Sequence, residues 1–404
     1  KCNDGYKLEN GKCILNYSFK AIYSVNEPNK EVTLINSNYK DKIKEIIIDG
    51  NKITDINNSI YLEYGEHIAY ILLDMNSLGN NMFNGCQEIK NIYFSSQFNN
   101  IEMKSMESMF SGCKILTSID FTNFKIKNVT SLNYMFNNCN SLKNINISNI
   151  DISKVETMNR MFYECKELEN IDFPNIKFKE LKYIEEMFYG CSSLKSLDLS
   201  NFDTKQISSF SQLFYGCKSL TSLNISNFNT TNVITMNYMF RECYSLTSLD
   251  LSNFDTINLK SMYAIFFSCS KLKSIELSNF KTNNVFSFSE IFKGCSSLIS
   301  INLSSFNTEK VEIMNNMFNG CSSLTSIDLS NFMFNKPIND VNSMFFGCSK
   351  LNYIDISYFT FNSNSYIYIF DDKIPSEGTI IVKNETVGNK IKQRIPNWNM
   401  IYKS

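Results

Sequence analysis

Eleven of the 13 cysteines stand at a near-constant interval: Cys86, Cys113, Cys139, Cys165, Cys191, Cys217, Cys243, Cys269, Cys295, Cys321 and Cys348. From Cys113 to Cys321 every interval is 26 residues, and the two flanking intervals are 27. A fixed period of this order specifies an array of like coils. One coil is too small to bury its own apolar stripe, so neighbouring coils must stack.

The rest of the period follows the cysteine. A phenylalanine stands three residues before it, from Phe83 and Phe110 through to Phe318 and Phe345. Counting back from the cysteine, apolar residues recur at ten, seven, four and three before it, then at the cysteine itself and three after, as in Val233, Met236, Met239, Phe240, Cys243 and Leu246. That 3.5–3.6 spacing predicts one buried stripe of a roughly three-turn α-helix. Glycine one before the cysteine, as at Gly112, Gly190 and Gly320, suits a left-handed helix end. After the cysteine the period becomes two, as in Leu194, Leu197 and Leu199 or Leu246, Leu249 and Leu251. This predicts a short strand with its leucines inward and the intervening Ser and Asp outward. Each repeat is then strand, turn, loop and helix, with strands paired in parallel.

These residues carry a resemblance. The run from Cys191 through Leu194, Leu197 and Leu199 to Phe202, with Met-Phe-x-Gly-Cys closing many repeats, resembles the BspA-like leucine-rich repeat in its 26-residue form. The resemblance covers residues 80–360 or so. It implies an α/β repeat solenoid of about 10–11 strand-loop-helix coils with a parallel inner sheet. It also implies an extracellular or cell-surface protein that binds other proteins, matrix or neighbouring cells. The asparagine ladder Asn123, Asn149, Asn175, Asn201, Asn227, Asn253, Asn279 and Asn331 is expected to bond turn backbone.

The flanks differ. Residues 1–15, with Cys2 and Cys13 ten residues apart and Gly5 and Gly11 between them, resemble the tail of an EGF-like or furin-like cysteine-rich module. A Cys2–Cys13 disulfide in an oxidising compartment is the expectation. Residues 16–80 hold short β-like runs and read as a β-rich N-terminal cap, with Asp49-Gly50 a hairpin turn. The solenoid takes 81–359. Residues 360–404 break the period and read as a small α/β C-terminal cap: strand Thr379–Val382, helix Val387–Arg394 and a last strand over Trp398–Tyr402. The chain opens on Lys1 rather than Met, which reads as a processed chain or a fragment.

Composition excludes several functions. With 39 basic against 40 acidic side chains, the chain offers no electrostatic footprint for nucleic acid or an anionic membrane. No apolar run reaches the ~18–20 residues of a membrane span. One histidine, His67, leaves no His-based acid/base or metal chemistry, and no Walker loop, dinucleotide fingerprint, Ser/His/Asp set or HExxH is present. Neither catalytic residues, nor a cofactor, nor a metal is expected. The ladder cysteines lack CxxC spacing, and stacked coils would set their Cβ vectors parallel, a poor disulfide geometry. They read as free buried thiols, with some bridging or metal capture as the alternative.

What remains is a face. Seven residues after the cysteine stand Asp120, Asn146, Asp172, Asp198, Asn224, Asp250, Glu276, Asn302, Asp328 and Asp355. The row reads either as a solvated strand face or as a binding strip. Its candidate ligand-binding residues are Asp172, Asp198, Asp250, Glu276 and Asp328, with Ser196, Ser222 and Ser248 beside them. Glycosylation sequons occur at Asn16, Asn57, Asn128, Asn146, Asn224, Asn229, Asn302 and Asn384. The sequence supports recognition or adhesion through a repetitive solenoid face, with extracellular protein, matrix or glycan partners. The alternative is a structural, self-associating coat or filament subunit.

Overall fold

A computed structural model describes residues 6–9, 12–74, 78–98, 101–148, 150–173, 177–362 and 368–403, with side chains from residue 16 onward. The chain forms two compact units: Lys1–Leu181 with Gly190–Leu194, and Lys182–Tyr189 with Lys195–Ser404.

The first unit begins with an antiparallel hairpin, Tyr6–Glu9 against Lys12–Leu15. A six-stranded sheet follows, in the order Ser118–Asp120, Ile89–Phe94, Phe19–Val25, Gly65–Leu73, Ile43–Ile48 and Asn51–Lys52. Strand Phe19–Val25 alternates buried and half-buried residues along its length, as a sheet with one face on a core requires. Asp49 and Gly50 have φ of +50° and +83°. They form the expected two-residue turn, whose left-handed pair matches the twist of the strands it joins. Pairing is antiparallel through the middle of this sheet and turns parallel between Ile89–Phe94 and Ser118–Asp120. That is where repeat stacking starts.

In both units the repeats are β-solenoid coils joined by parallel pairing. The first unit pairs Asn144–Asn146 with Asn170–Asp172. The second pairs Ser196–Asp198 with Ser222–Asn224 and Ser248–Asp250 with Ser274–Glu276. It ends in a four-stranded parallel sheet, Ser326–Asp328, Tyr353–Ile356, Thr379–Val382 and Asn399–Tyr402. Trp398 is buried there, its Nε1–H donating to Pro375 O at 2.8 Å. Among the described residues the only α-helix is Glu385–Lys392, capped by Asn384, whose Oδ1 accepts the Val387 N–H.

The expected helix before each cysteine is therefore wrong, and the reason is local. In every repeat the residue five before the cysteine and the residue one before it are left-handed, with φ between +51° and +81°. Each breaks a run of tight turns before an α-helix can propagate. The amide bonds then alternate. Around Cys243, the N–H groups of Met239, Arg241 and Cys243 donate three residues back within their own coil, to Met236, Tyr238 and Phe240 at 3.1–3.2 Å. Those of Tyr238, Phe240 and Glu242 donate to the next coil, to Tyr263, Ile265 and Phe267 at 2.8–2.9 Å. Tight turns place apolar side chains three and four apart just as a helix does, so periodicity alone does not separate them. The left-handed glycine expectation holds in a turn setting. At Gly320, with φ +79°, an added Cβ would also meet Gly294 Cα at 3.4 Å.

Inside the coils two columns run together. The phenylalanines stack nearly parallel, for example Phe110 on Phe136 at 5.4 Å and 3°, and Phe266 on Phe292 at 5.5 Å and 12°, within the range of favourable offset stacking. The ladder cysteines are free and buried. Each thiol from Cys113 to Cys348 donates to the carbonyl of the phenylalanine in the preceding coil at 3.0–3.2 Å. Phe240 O, for instance, accepts both the Cys243 N–H and the Cys269 Sγ–H. The thiol is thus more than a small filler: it satisfies the second lone pair of a buried carbonyl. Burial holds these thiols protonated, with pKa pushed up to about 12 at Cys269 and Cys348.

A third column lies only in the second unit. Thr204, Thr230, Thr256, Thr282 and Thr308 are buried, and each Oγ1 donates to a carbonyl of the next coil at 2.6–3.0 Å. In the first unit the same register holds Ile126, Ile152 and Phe178. The recurring Asp/Asn-Thr dipeptide is its only trace in the sequence.

Two measurements check this packing. Phe240→Ala is expected to lower the unfolding free energy by about 3–5 kcal/mol, and Gly320→Ala by about 1–2 kcal/mol, the cost of a Cβ in a left-handed residue. Urea unfolding reads both, and indifference to either change contradicts the stacking described. Titration with Ellman's reagent is expected to show a thiol count that rises by the eleven ladder cysteines only when the protein is denatured. Reaction of these thiols in the native protein would contradict their burial.

Candidate functional site

The outward row is held in place by the strand ends themselves. Asp198, Asp250 and Asp328 each accept, through Oδ1, the backbone N–H two residues on (Ser200, Ser252 and Ser330) at 2.9 Å. Glu276 accepts the Ser278 N–H at 2.8 Å, and Asn302 the Ser304 N–H at 3.0 Å. A short acceptor here closes an Asx-type turn that redirects the chain out of the strand. That explains why Asp and Asn interchange along the row: either side chain supplies the oxygen. The same bonds set the charge state. The Ser252 N–H and hydroxyl hold Asp250 below the ordinary carboxylate range, and Ser200 does the same for Asp198.

The candidate residues fall as follows. Asp172, Ser196, Asp198, Ser222, Ser248, Asp250, Glu276 and Asp328 are all exposed. Asp172 belongs to the first unit and the others to the second. Asp250 and Glu276 lie directly opposite on paired strands, where like charges repel. Asp198 escapes that conflict because its partner is Asn224, whose Nδ2 donates to Asp198 Oδ1 at 3.0 Å. Asp355 is buried, unlike the rest of the row.

The strands do not pair continuously, a point the sequence does not reveal. In the second unit Ser196–Asp198 couples to Ser222–Asn224 and Ser248–Asp250 to Ser274–Glu276, and no backbone hydrogen bond crosses from Ser222–Asn224 to Ser248–Asp250. Leu197 and Leu249, at the centre of the first strand of their pairs, are buried, while Leu223 and Ile275, in the second strands, are only half-buried. The interruption opens a recess of about 370 Å³. Its rim carries Ser222, Asn224, Ser248 and Asp250, and its floor Leu223 and Leu249. Three of the residues singled out from the sequence therefore converge on one concavity, and Asn224 ties Asp198 to its edge. Glu276 is on the far side of the Asp250 strand.

The asparagine ladder meets its expectation at Asn123, Asn227, Asn253, Asn279 and Asn331. Asn227 Nδ2 donates to Ser200 O at 3.0 Å, Asn253 to Ser226 O at 2.9 Å and Asn331 to Leu303 O at 3.1 Å. Asn149 and Asn175 lie outside the described residues, as does the Cys2–Cys13 pairing. Of the sequon asparagines, Asn146, Asn224, Asn229, Asn302 and Asn384 are exposed, and Asn57 and Asn128 are half-buried. Asn16, also half-buried, accepts from Gln97 through Oδ1 at 2.9 Å. Among the described residues no three His, Cys, Asp or Glu side chains gather around a common point.

The lone histidine has a different part. His67 Nδ1 lies 2.7 Å from Asp49 Oδ2, and Nε2 lies 2.9 Å from Glu63 O. Both partners are acceptors, so only the doubly protonated ring satisfies both. The pair fixes the Asp49-Gly50 turn to strand Gly65–Leu73, and Asp49 Oδ1 also takes the Ile68 N–H. Partial burial works against the charged ring, but the Asp49 carboxylate and the Glu63 carbonyl outweigh it, and the His67 pKa is raised. Burial likewise opposes the Asp49 charge, yet His67 and the Ile68 N–H bring its pKa down.

Three stretches of the chain, residues 77–197, 182–298 and 260–373, match the family described as Mycoplasma protein of unknown function, DUF285. Residues 9–109 match the BspA type leucine rich repeat region, in 6 copies. No curated protein matches. Among solved structures, a leucine-rich repeat protein from Eubacterium ventriosum ATCC 27560 is similar at 20% identity, over 56% of this chain and 60% of that one, with a TM-score of 0.36.

The titrating groups predict a stability window. Asp49, Asp198 and Asp250 have lowered pKa values. Their stabilisation is present above the unfolded carboxylate pKa of about 3.9 and is lost as pH falls through the folded values. His67 is raised, so its contribution is complete below the unfolded value of about 6.5 and disappears as pH rises through the folded one. Melting temperature is expected to peak between about pH 4 and 6.5. His67→Gln should flatten the alkaline decline and leave the part of the acid limb that Asp198 and Asp250 carry; an unchanged alkaline limb contradicts the role of the Asp49–His67 pair.

Proposed function

Because the chain belongs to the DUF285 family, described as a Mycoplasma protein of unknown function, and is a repeat solenoid, we propose that it is a surface recognition module. It works outside the cell or on its surface and holds a protein, matrix or glycan partner on the outward strand face of its coils. The observation that carries this reading is the convergence of Ser222, Ser248 and Asp250 on one recess. Those side chains were selected by register in the repeat, independently of any concavity. The buried thiols, fixed in a carbonyl ladder and held protonated, supply no nucleophile. The row supplies no pair of carboxylates with opposed environments, as acid/base hydrolysis requires. The reading is therefore binding without catalysis. Three sequon asparagines, Asn146, Asn224 and Asn302, belong to the row itself: a glycan on Asn224 would displace the amide bond to Asp198 and cover the recess.

A second reading, self-association into a coat or filament, draws on one observation. Strand Asn399–Tyr402 pairs on one side only, with Ile401 and Tyr402 exposed at 43% and 39%, and an uncovered strand edge invites another strand. Light scattering across a concentration series separates the two: a mass that stays constant supports recognition by a single chain, and ordered growth supports the coat.

The recognition reading is tested by neutralising the row. Asp198→Asn, Asp250→Asn, Glu276→Gln and Asp328→Asn together repeat the choice the chain itself makes at Asn146, Asn224 and Asn302, so the turns keep their acceptors. Capture on panels of immobilised matrix proteins and glycans is expected to weaken at least about tenfold, or ~1.4 kcal/mol. Capture of unchanged strength by the folded variant contradicts the proposal.

A further inference from the structure

From the recess between strands Ser222–Asn224 and Ser248–Asp250, we infer a binding site for one ring of a neutral saccharide. The inference rests on the recognition reading above and narrows it to one ligand class. Three features of the site choose that class.

The first is polarity without cationic charge. The rim offers the hydroxyls of Ser222 and Ser248, which make no hydrogen bond within the described residues, together with the Asn224 amide and the Asp250 carboxylate. No Lys, Arg or His lines the recess. An anionic ligand would meet Asp250 and no counter-charge, which disfavours it. No aromatic ring lines it either, so the cage that holds methylated ammonium groups is absent.

The second is the direction of the hydrogen bonds. Asp250 accepts the Ser252 N–H through Oδ1 and the Ser252 hydroxyl as well, which fixes the carboxylate and still leaves it lone pairs for further donors. An acceptor-only group requires donors from its ligand. The serine hydroxyls give and accept in turn. The facing strand edges add backbone groups that no ladder satisfies; buried or half-buried backbone of this kind takes water or a ligand as partner. A ring bearing several hydroxyls supplies donors and acceptors at once.

The third is the floor. Leu223 and Leu249 sit beneath the polar rim, and a sugar ring has an apolar C–H face as well as a hydroxylated edge. The recess of about 370 Å³ is at the small end of ligand sites, ~300–1,000 Å³, which suits a single ring better than an extended chain. Recognition of longer glycans would then proceed through one residue seated here, with the rest of the oligosaccharide along the face.

The test is direct binding of neutral monosaccharides and disaccharides to the full chain, by saturation-transfer NMR and calorimetry, with a sulfated sugar and a basic peptide as comparison probes. Ser248→Leu fills the rim at an exposed position, and Asp250→Asn removes the charge while keeping the turn acceptor. Glu377→Gln, at an exposed carboxylate outside both the recess and the row, is the control. The expected result is saturable binding of at least one neutral sugar, weakened at least tenfold by Ser248→Leu and by Asp250→Asn and unaffected by Glu377→Gln. Retained burial of the ladder thiols establishes that each variant is folded. Neutral sugars that fail to bind, or that bind Ser248→Leu equally well, overturn the inference, as does preferential binding of the basic peptide or the sulfated sugar. If sugars fail while the neutralised row still loses capture of a protein or matrix partner, the saccharide site is wrong and the recognition reading stands. If both fail, both are wrong.

Discussion

The structure depends on the way its turn segments share hydrogen bonds. Ahead of each ladder cysteine, backbone N–H groups point alternately into their own coil and into the next. Left-handed residues at two fixed positions enforce that alternation. Several of them are Asn, Glu, Ser or Tyr rather than glycine, each costing roughly 1–2 kcal/mol in isolation, so the bonds between coils must outweigh the strain. The thiol ladder completes the same network. It gives each phenylalanine carbonyl a second donor in a place that water does not reach, where an unsatisfied lone pair would be unfavourable.

This explains a division of labour around each coil. The turn segment, with its phenylalanine stack and thiol ladder, is uniform and closed. The strand segment is only three residues long in most repeats, and its pairing lapses between Ser222–Asn224 and Ser248–Asp250. Cohesion does not require a continuous sheet, so the outward face is free to vary in charge and to open a recess. The Asx turns let that variation happen without loss of shape, because Asp, Asn and Glu all supply the acceptor. A row read as a binding strip is thus also a set of turn-closing groups, and the two roles are compatible: the side chains that close the turns are themselves exposed.

Much of this was legible in the sequence. The period, the inward leucines of the strands, the Asp49-Gly50 turn and the strand at Thr379–Val382 all follow from spacing and side-chain type. The helix did not survive, because turns closed three residues back and broken by left-handed residues imitate a helical stripe: Met236, Met239, Phe240 and Cys243 are buried together on either geometry. A clue existed in the recurrent glycine before the cysteine. Its partner position, five before, carries Tyr238, Ala264 or Glu290, residue types that give no hint of positive φ. The recess was hidden for another reason: Ser222 and Ser248 occupy equivalent register positions, and nothing in the repeat says that the ladder lapses between their strands. The threonine column was visible only as a dipeptide, with the hydroxyl's bond to the next coil beyond what spacing can show.

Amide hydrogen exchange resolved to short peptides addresses the central claim, that cohesion resides in the turn segments while the strand face stays open. The amides of Tyr238, Phe240 and Glu242, which bond to the next coil, should exchange among the slowest of the second unit. Those of strand Ser248–Asp250, beside the recess, should exchange markedly faster. Equal protection of the two, or a strand that outlasts the turns, contradicts the account.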